Sequence, residues 1–153
     1  MLLQRTFFDR TTERSHVTVG LVLVSHSKQL AQGLADVAGQ MAPSVTIAPA
    51  GGQEDGSIGT SFELITAAIA EADSGDGAVL LYDLGSGFLT AETAVEFLEP
   101  EQAERVVIVD APFVLGAVSA AIAANVGGDL RAVIAGALDA RSANGPGGVR
   151  SLD

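Results

Sequence analysis

The stretch Val19-Gly20-Leu21-Val22-Leu23-Val24-Ser25-His26-Ser27 decides the fold. An unbroken apolar, β-branched run of this length is the pattern of a buried strand. It stops abruptly at a small polar residue and an imidazole. Immediately behind it, Leu30, Leu34, Val37, Ala38 and Met41 recur at helical spacing, and Pro43 closes the segment. His26 therefore falls at the carboxyl end of a strand, beside a helix N-terminus. In open α/β sheets that is where ligands and chemistry collect. An imidazole, whose ordinary pKa is about 6.5, can serve there as nucleophile or base near neutral pH.

The same alternation of strand and helix patterns continues outward from this stretch. The first strand is expected over about Thr18 to Ser25 and the first helix over Ser27 to Met41. A short strand follows at Val45 to Ala48, then a glycine-rich acidic loop from Ala50 to Gly59. Thr60-Ser61-Phe62-Glu63 has capping-box spacing and starts a helix that reaches about Ala72. The third strand is Ala78 to Tyr82, followed by Asp83 and a tight turn at Leu84-Gly85-Ser86-Gly87. Further expectations are a helix from Thr90 to Leu98, a strand from Arg105 to Val109, an alanine-rich helix from Leu115 to Asn125 and a last short strand from Arg131 to Ala135. The reading is α/β: a single doubly wound domain, with a mainly parallel sheet of four to five strands and helices on both faces. The domain is expected over residues 17–140. Residues 1–16 read as a disordered extension or a non-native start, and residues 141–153 as a flexible tail.

Composition narrows the function classes. In 153 residues, 48% are hydrophobic and 18% charged, enough apolar material for one domain core built from Ala, Val, Leu and Ile. Eight basic residues against nineteen acidic ones give a formal charge of −11. Such a field argues against nucleic acid and against an anionic membrane surface, and is compatible with a basic protein partner or simply with solubility. The absence of cysteine removes disulfides, thiol catalysis and thiolate metal sites, and is compatible with a cytoplasmic location. No apolar segment approaches a membrane span of about 20 residues.

Three strand ends converge on one edge of the expected sheet: Ser25-His26, Asp83 and Asp110. Two glycine-rich turns leading to helices lie between them. Helix N-termini present free amides and a positive dipole end, which suit a phosphate. A histidine, a carboxylate able to orient it and backbone donors for an anion together fit phosphoryl chemistry. Each residue also has a plainer reading. His26 can be a satisfied strand-end histidine and Asp83 a turn aspartate. Ser86 and Thr60 can be ordinary helix-start residues, and Gly59 and Gly85 simple turn glycines. His16, the only other histidine, lies at the opposite end of the first strand. At about 3.3 Å per residue the two are too far apart to share a metal. No metal and no cofactor are expected.

Other chemistries find less support. Gly85-Ser86-Gly87 lacks the G-x-S-x-G spacing of a nucleophile elbow. The single lysine, Lys28, does not follow a glycine loop, which excludes a P-loop. Leu80-Leu81-Tyr82-Asp83-Leu84-Gly85-Ser86-Gly87 does look like the first motif of S-adenosylmethionine-dependent methyltransferases, with Asp110 ending the next strand where a ribose-binding acid would sit. The third glycine is missing, however, and that reading gives His26 no task.

Taken in order, Leu23-Val24-Ser25-His26-Ser27, Ile58-Gly59-Thr60, Asp83-Leu84-Gly85-Ser86, Ala91-Glu92-Thr93-Ala94 and Ala111-Pro112 resemble the mannose-type enzyme IIA family of the bacterial phosphotransferase system. The likeness spans about Val17 to Ala140. Pro49-Ala50-Gly51-Gly52 through Ile58-Gly59-Thr60 is more similar to the branch serving phosphoenolpyruvate-dependent dihydroxyacetone kinase than to the sugar-transporter branch. The resemblance implies that His26 is a phosphoryl acceptor, Asp83 its ring partner, and Gly59, Thr60, Gly85 and Ser86 the phosphate-site residues. It implies a donor, the histidine phosphocarrier protein HPr, and an acceptor, ADP on the nucleotide-binding subunit of the kinase. It also implies a homodimer in which a C-terminal strand is exchanged between protomers.

Overall fold

A computed structural model describes residues 17–142 of the chain. His16 and the expected N-terminal extension lie outside the described residues, as does the expected tail beyond Ser142. The elements are β1 (Gly20–Ser25), α1 (Lys28–Met41), β2 (Ile47–Gly51), α2 (Phe62–Ala72), β3 (Ala78–Tyr82), α3 (Gly85–Glu96), α4 (Pro100–Ala103), β4 (Val106–Ile108), α5 (Phe113–Asn125) and α6 (Leu130–Asp139). The four strands form one parallel sheet in the order β2-β1-β3-β4. The chain moves to one side of β1 through α1 and to the other through α2. The crevice between the carboxyl ends of β1 and β3 is thus the switch point of the sheet.

Alternate residues of β1 enter different layers. Leu21 and Leu23 pack with Val79 and Leu81 against α1, α5 and α6. Val22 and Val24 pack with Ala48, Ala50 and Leu80 against α2 and α3. All of these are buried, as the uninterrupted apolar run requires. Removing each large aliphatic side chain from water contributes about 1.5–3 kcal/mol. The helices meet the sheet largely through alanines, such as Ala117, Ala120, Ala121 and Ala124 of α5. They therefore approach closely. At Gly51 an added Cβ would lie 2.4 Å from the Ser27 carbonyl oxygen, so the start of α1 rests directly on β2.

The structure corrects several boundaries. Arg131–Ala135 is not a strand but part of α6. Asp129 caps that helix, its side chain accepting from the Ala132 amide at 2.9 Å. Val133 and Ala137, four residues apart, then face the core as one helical stripe. The β-branched pair Val133-Ile134 imitates a strand only while that cap goes unread. This segment therefore cannot be the strand expected to exchange in a dimer, and the sheet among the described residues has four strands. β2 continues past Ala48 through Pro49. It is an edge strand, where a missing donor is tolerated. Pro100 does not merely follow a helix but opens the short α4.

Two further corrections bear on the site. Ser61, not Thr60, caps α2, accepting from the Leu64 amide at 3.1 Å. And α3 begins at Gly85, five residues before the expected Thr90, so Gly85-Ser86-Gly87 is a helical turn and not a loop.

Candidate functional site

His26 follows the last residue of β1, and Asp83 the last residue of β3, across the switch point. Asp83 is the hub. Its Oδ1 accepts from the His26 ring at Nδ1 (2.9 Å) and from the Leu84 amide (2.7 Å). Its Oδ2 accepts from the Ser25 hydroxyl (2.9 Å) and the His26 amide (2.9 Å). Burial disfavours the carboxylate, but the His26 amide, the His26 ring, Ser25 and the Leu84 amide together outweigh it. The carboxyl group consequently lies below its ordinary pKa and is charged at neutral pH.

A charged carboxylate accepts only, so Nδ1 carries the proton and Nε2 the free lone pair. Nε2 meets the Ser86 hydroxyl at 2.6 Å, with Ser86 donating. The ring remains 19% exposed, against 12% for the Asp83 side chain, so Nε2 lies on the accessible side of the pair.

The backbone around the ring is fixed as firmly. Ser25 is completely buried; its hydroxyl donates to Asp83 and accepts from the Ser27 amide at 3.0 Å. The Gly59 amide donates to the His26 carbonyl at 2.9 Å. Gly59 has φ +143°, in the region that disfavours side chains, and Gln53 packs on its Cα.

The expected residues thus meet unequally. His26, Asp83 and Ser86 are in direct contact. Gly85 opens α3, whose N-terminus has no side-chain cap. The Gly87 amide donates to the Leu84 carbonyl at 2.8 Å, and the Gly85 and Ser86 amides lie at the positive dipole end of the helix. Gly59 has its amide on His26, and the Thr60 hydroxyl meets Thr90 Oγ1 at 2.7 Å. Neither turns a donor toward Nε2. Asp110 does not join His26: it pairs with Arg141 at 3.1 Å, and burial and the nearby Asp110 raise the Tyr82 phenol. Ser25 and Thr90 carry roles that the residue patterns did not assign. The signal for Ser25 was a hydroxyl at the last position of an otherwise apolar strand.

A cleft of about 360 Å3 beside the 53–63 segment is lined by Gln53, Thr60, Ser61 and Phe62 and by Glu54, Asp55 and Glu63. Three carboxylates make it a poor receptor for a nucleotide's phosphates. Among the described residues no group of three or more His, Cys, Asp or Glu is placed to hold a metal, and no helix is long and apolar enough to cross a membrane.

Fold and site together define a doubly wound α/β domain with a histidine at its switch point, its Nδ1 on a carboxylate and its Nε2 on the Ser86 hydroxyl. Residues 20–134 match the EIIA-man family, described as the fructose IIA component of the phosphotransferase system. The chain belongs to this family. It is 42% identical over 102 residues to the phosphoryl donor subunit DhaM of PEP-dependent dihydroxyacetone kinase 1 of Listeria innocua, covering 67% of this chain and 78% of that one. It is 40% identical over 129 residues to the corresponding Escherichia coli subunit, covering 82% of this chain but only 27% of that longer protein. It is 32% identical over 117 residues to the phosphotransferase subunit DhaM of the PTS-dependent kinase of Lactococcus lactis, covering 76% and 91%. A crystal structure of EF1359, a protein of unknown function, superposes with a TM-score of 0.75 at 37% identity, covering 86% of this chain and 98% of that one.

Proposed function

We propose that this chain is a phosphohistidine carrier: His26 accepts a phosphoryl group from phosphorylated HPr and passes it to ADP on the nucleotide-binding subunit of dihydroxyacetone kinase. The observation that carries the reading is the pair of contacts on the His26 ring. Nδ1 is held by a charged carboxylate, and Nε2 keeps its lone pair on the accessible side. The relatives named as phosphoryl donor subunits of this kinase support the choice of acceptor.

The chemistry is a pair of displacements. The Nε2 lone pair attacks phosphorus. The donor's P–N bond breaks, and its nitrogen keeps the electron pair. With Nδ1 still protonated, the phosphorylated ring is a cation, and Asp83 at 2.9 Å is its counter-ion. In the second step a terminal phosphate oxygen of ADP attacks, the Nε2–P bond breaks, and Nε2 recovers its lone pair as ATP forms. A loose phosphoryl transition state needs positioning and charge stabilisation more than covalent machinery. Ser86 must turn from Nε2 as phosphorus arrives, and its hydroxyl and amide, with the Gly85 amide, then face the phosphoryl oxygens. Gly59 and Thr60 shape this site through the backbone and α3.

The reading includes a cytoplasmic homodimer. Leu30, Val37 and Met41 support the dimer, since they lie exposed along one side of α1 as an apolar stripe. The test is labelling from radioactive phosphoenolpyruvate with enzyme I and HPr. One acid-labile phosphate per chain is expected. It should be lost in His26→Ala, retained in His16→Ala, and discharged when the nucleotide-binding subunit with ADP is added. Label that survives His26→Ala would sink the assignment. Discharge only to a sugar-specific transporter domain would move the chain to the transporter branch.

A further inference from the structure

We propose that Thr90 is a positioning residue for phosphoryl transfer, fixing the first turn of α3 so that the Ser86 hydroxyl meets His26 Nε2. The inference rests on the phosphohistidine reading of the site.

The need for such a device lies in α3 itself. The helices α1, α2 and α6 each start with a side-chain cap, from Ser27, Ser61 and Asp129. The N-cap of α3, Leu84, provides none, as is also so for α4 and α5. The first turn of α3 contains Gly85 and Gly87, each about 1 kcal/mol worse than alanine in a helix. This is a weakly determined turn, yet it carries the hydroxyl that meets Nε2 at rest and the hydroxyl and amides that face the phosphoryl oxygens during transfer.

Thr90 supplies the missing constraint. Its Oγ1 donates to the Ser86 carbonyl at 3.3 Å, one turn back. Either hydroxyl can donate in the 2.7 Å contact between Thr60 and Thr90; with Thr90's single proton on the Ser86 carbonyl, the donor there is Thr60. Thr60 is then a brace and not a phosphate donor in this state. The brace closes a circuit. The His26 carbonyl accepts from Gly59, the next residue is Thr60, Thr60 holds Thr90, Thr90 holds Ser86, and Ser86 returns to His26 Nε2. The backbone and the ring of one histidine are thereby referenced to the same helical turn.

The test compares Thr90→Val, Thr90→Ser and Ser86→Ala, with Thr90→Val also placed on the Ser86→Ala background. Single-turnover phosphorylation by phosphorylated HPr is read together with the 15N shift of His26 Nε2 in the unphosphorylated protein. Thr90→Val should slow transfer about three- to tenfold, the effect of one hydrogen bond, and Thr90→Ser should restore it. The double variant should be no slower than Ser86→Ala alone. The Nε2 resonance of Thr90→Val should move toward that of Ser86→Ala. A wild-type rate and shift in Thr90→Val, or a loss that adds fully to that of Ser86→Ala, would overturn the proposal. If the wild-type chain takes no phosphoryl group on His26, the phosphohistidine reading fails, while the nitrogen shifts still decide whether Thr90 holds Ser86 in place.

Discussion

Replacing Asp83 by asparagine removes one charge and leaves the side chain's shape almost unchanged. The carboxylate accepts four hydrogen bonds, two on each oxygen. Asparagine keeps one accepting oxygen and substitutes a donor for the other. If the amide group faces Ser25 and the His26 amide, two donors lose their acceptor. If it faces the ring, it meets the Nδ1 proton, and the imidazole responds by moving that proton to Nε2, which blocks the nucleophile. In either orientation the phosphorylated ring loses its counter-ion. A hydrogen bond to a charged group contributes about 1.5–3 kcal/mol. At about 1.4 kcal/mol per decade, transfer should slow roughly ten- to a hundredfold. The assay is rapid-quench labelling from phosphorylated HPr, with circular dichroism to confirm the fold. The folded carboxyl lies below its ordinary value, so its stabilisation is complete above the unfolded pKa of about 4 and fades as pH falls through the folded value. The difference in urea stability between wild type and Asp83→Asn should therefore hold from pH 7 down to about pH 4 and shrink on further acidification. A rate within twofold of wild type, with the Nδ1 proton retained, would refute the reasoning and return Asp83 to the status of a turn residue.

Other outcomes follow from packing away from the ring. Asp73 is wholly buried beside Arg105 at 3.0 Å; burial opposes its charge, but Arg105, the Gly75 amide and Gln102 hold its carboxyl below the usual value. Arg105→Ala should lower the urea midpoint, since it leaves the Asp73 carboxylate without its cation, and leave transfer intact, because this pair lies at the amino end of the sheet. Unchanged stability would count against the pair, and slowed transfer would count against its independence from the site. Gly51→Ala should cost more than about 2 kcal/mol, because the new methyl meets backbone at Ser27 that cannot rotate away. A melting temperature equal to wild type would show that α1 can lift from β2 freely.

Much of the architecture was legible because it depends on local pattern. The run before His26 has no polar interruption, so only a strand covered on both faces accommodates it. Ala78–Tyr82 was bounded by glycines and Asp83, and its limits came out unchanged. Long-range partners defeated the pattern elsewhere. Thr60 has the spacing of a cap, but Thr90, thirty residues on, draws its hydroxyl away and Ser61 takes the role. Gly85 and Gly87 read as a loop because isolated helices avoid glycine. The structure keeps them helical, with Gly87 buried against Tyr82, Val24 and Asp83. His26 and Asp83 were legible as strand ends at one edge. The orientation of the ring was not, because it depends on which imidazole nitrogen meets Oδ1.

The most direct test of the account is 15N and 31P resonance of the phosphorylated protein with its histidine ring nitrogens labelled. The account predicts phosphorus bonded to Nε2 of His26, with Nδ1 still protonated against Asp83. Phosphorus on Nδ1, or on any residue other than His26, would contradict it.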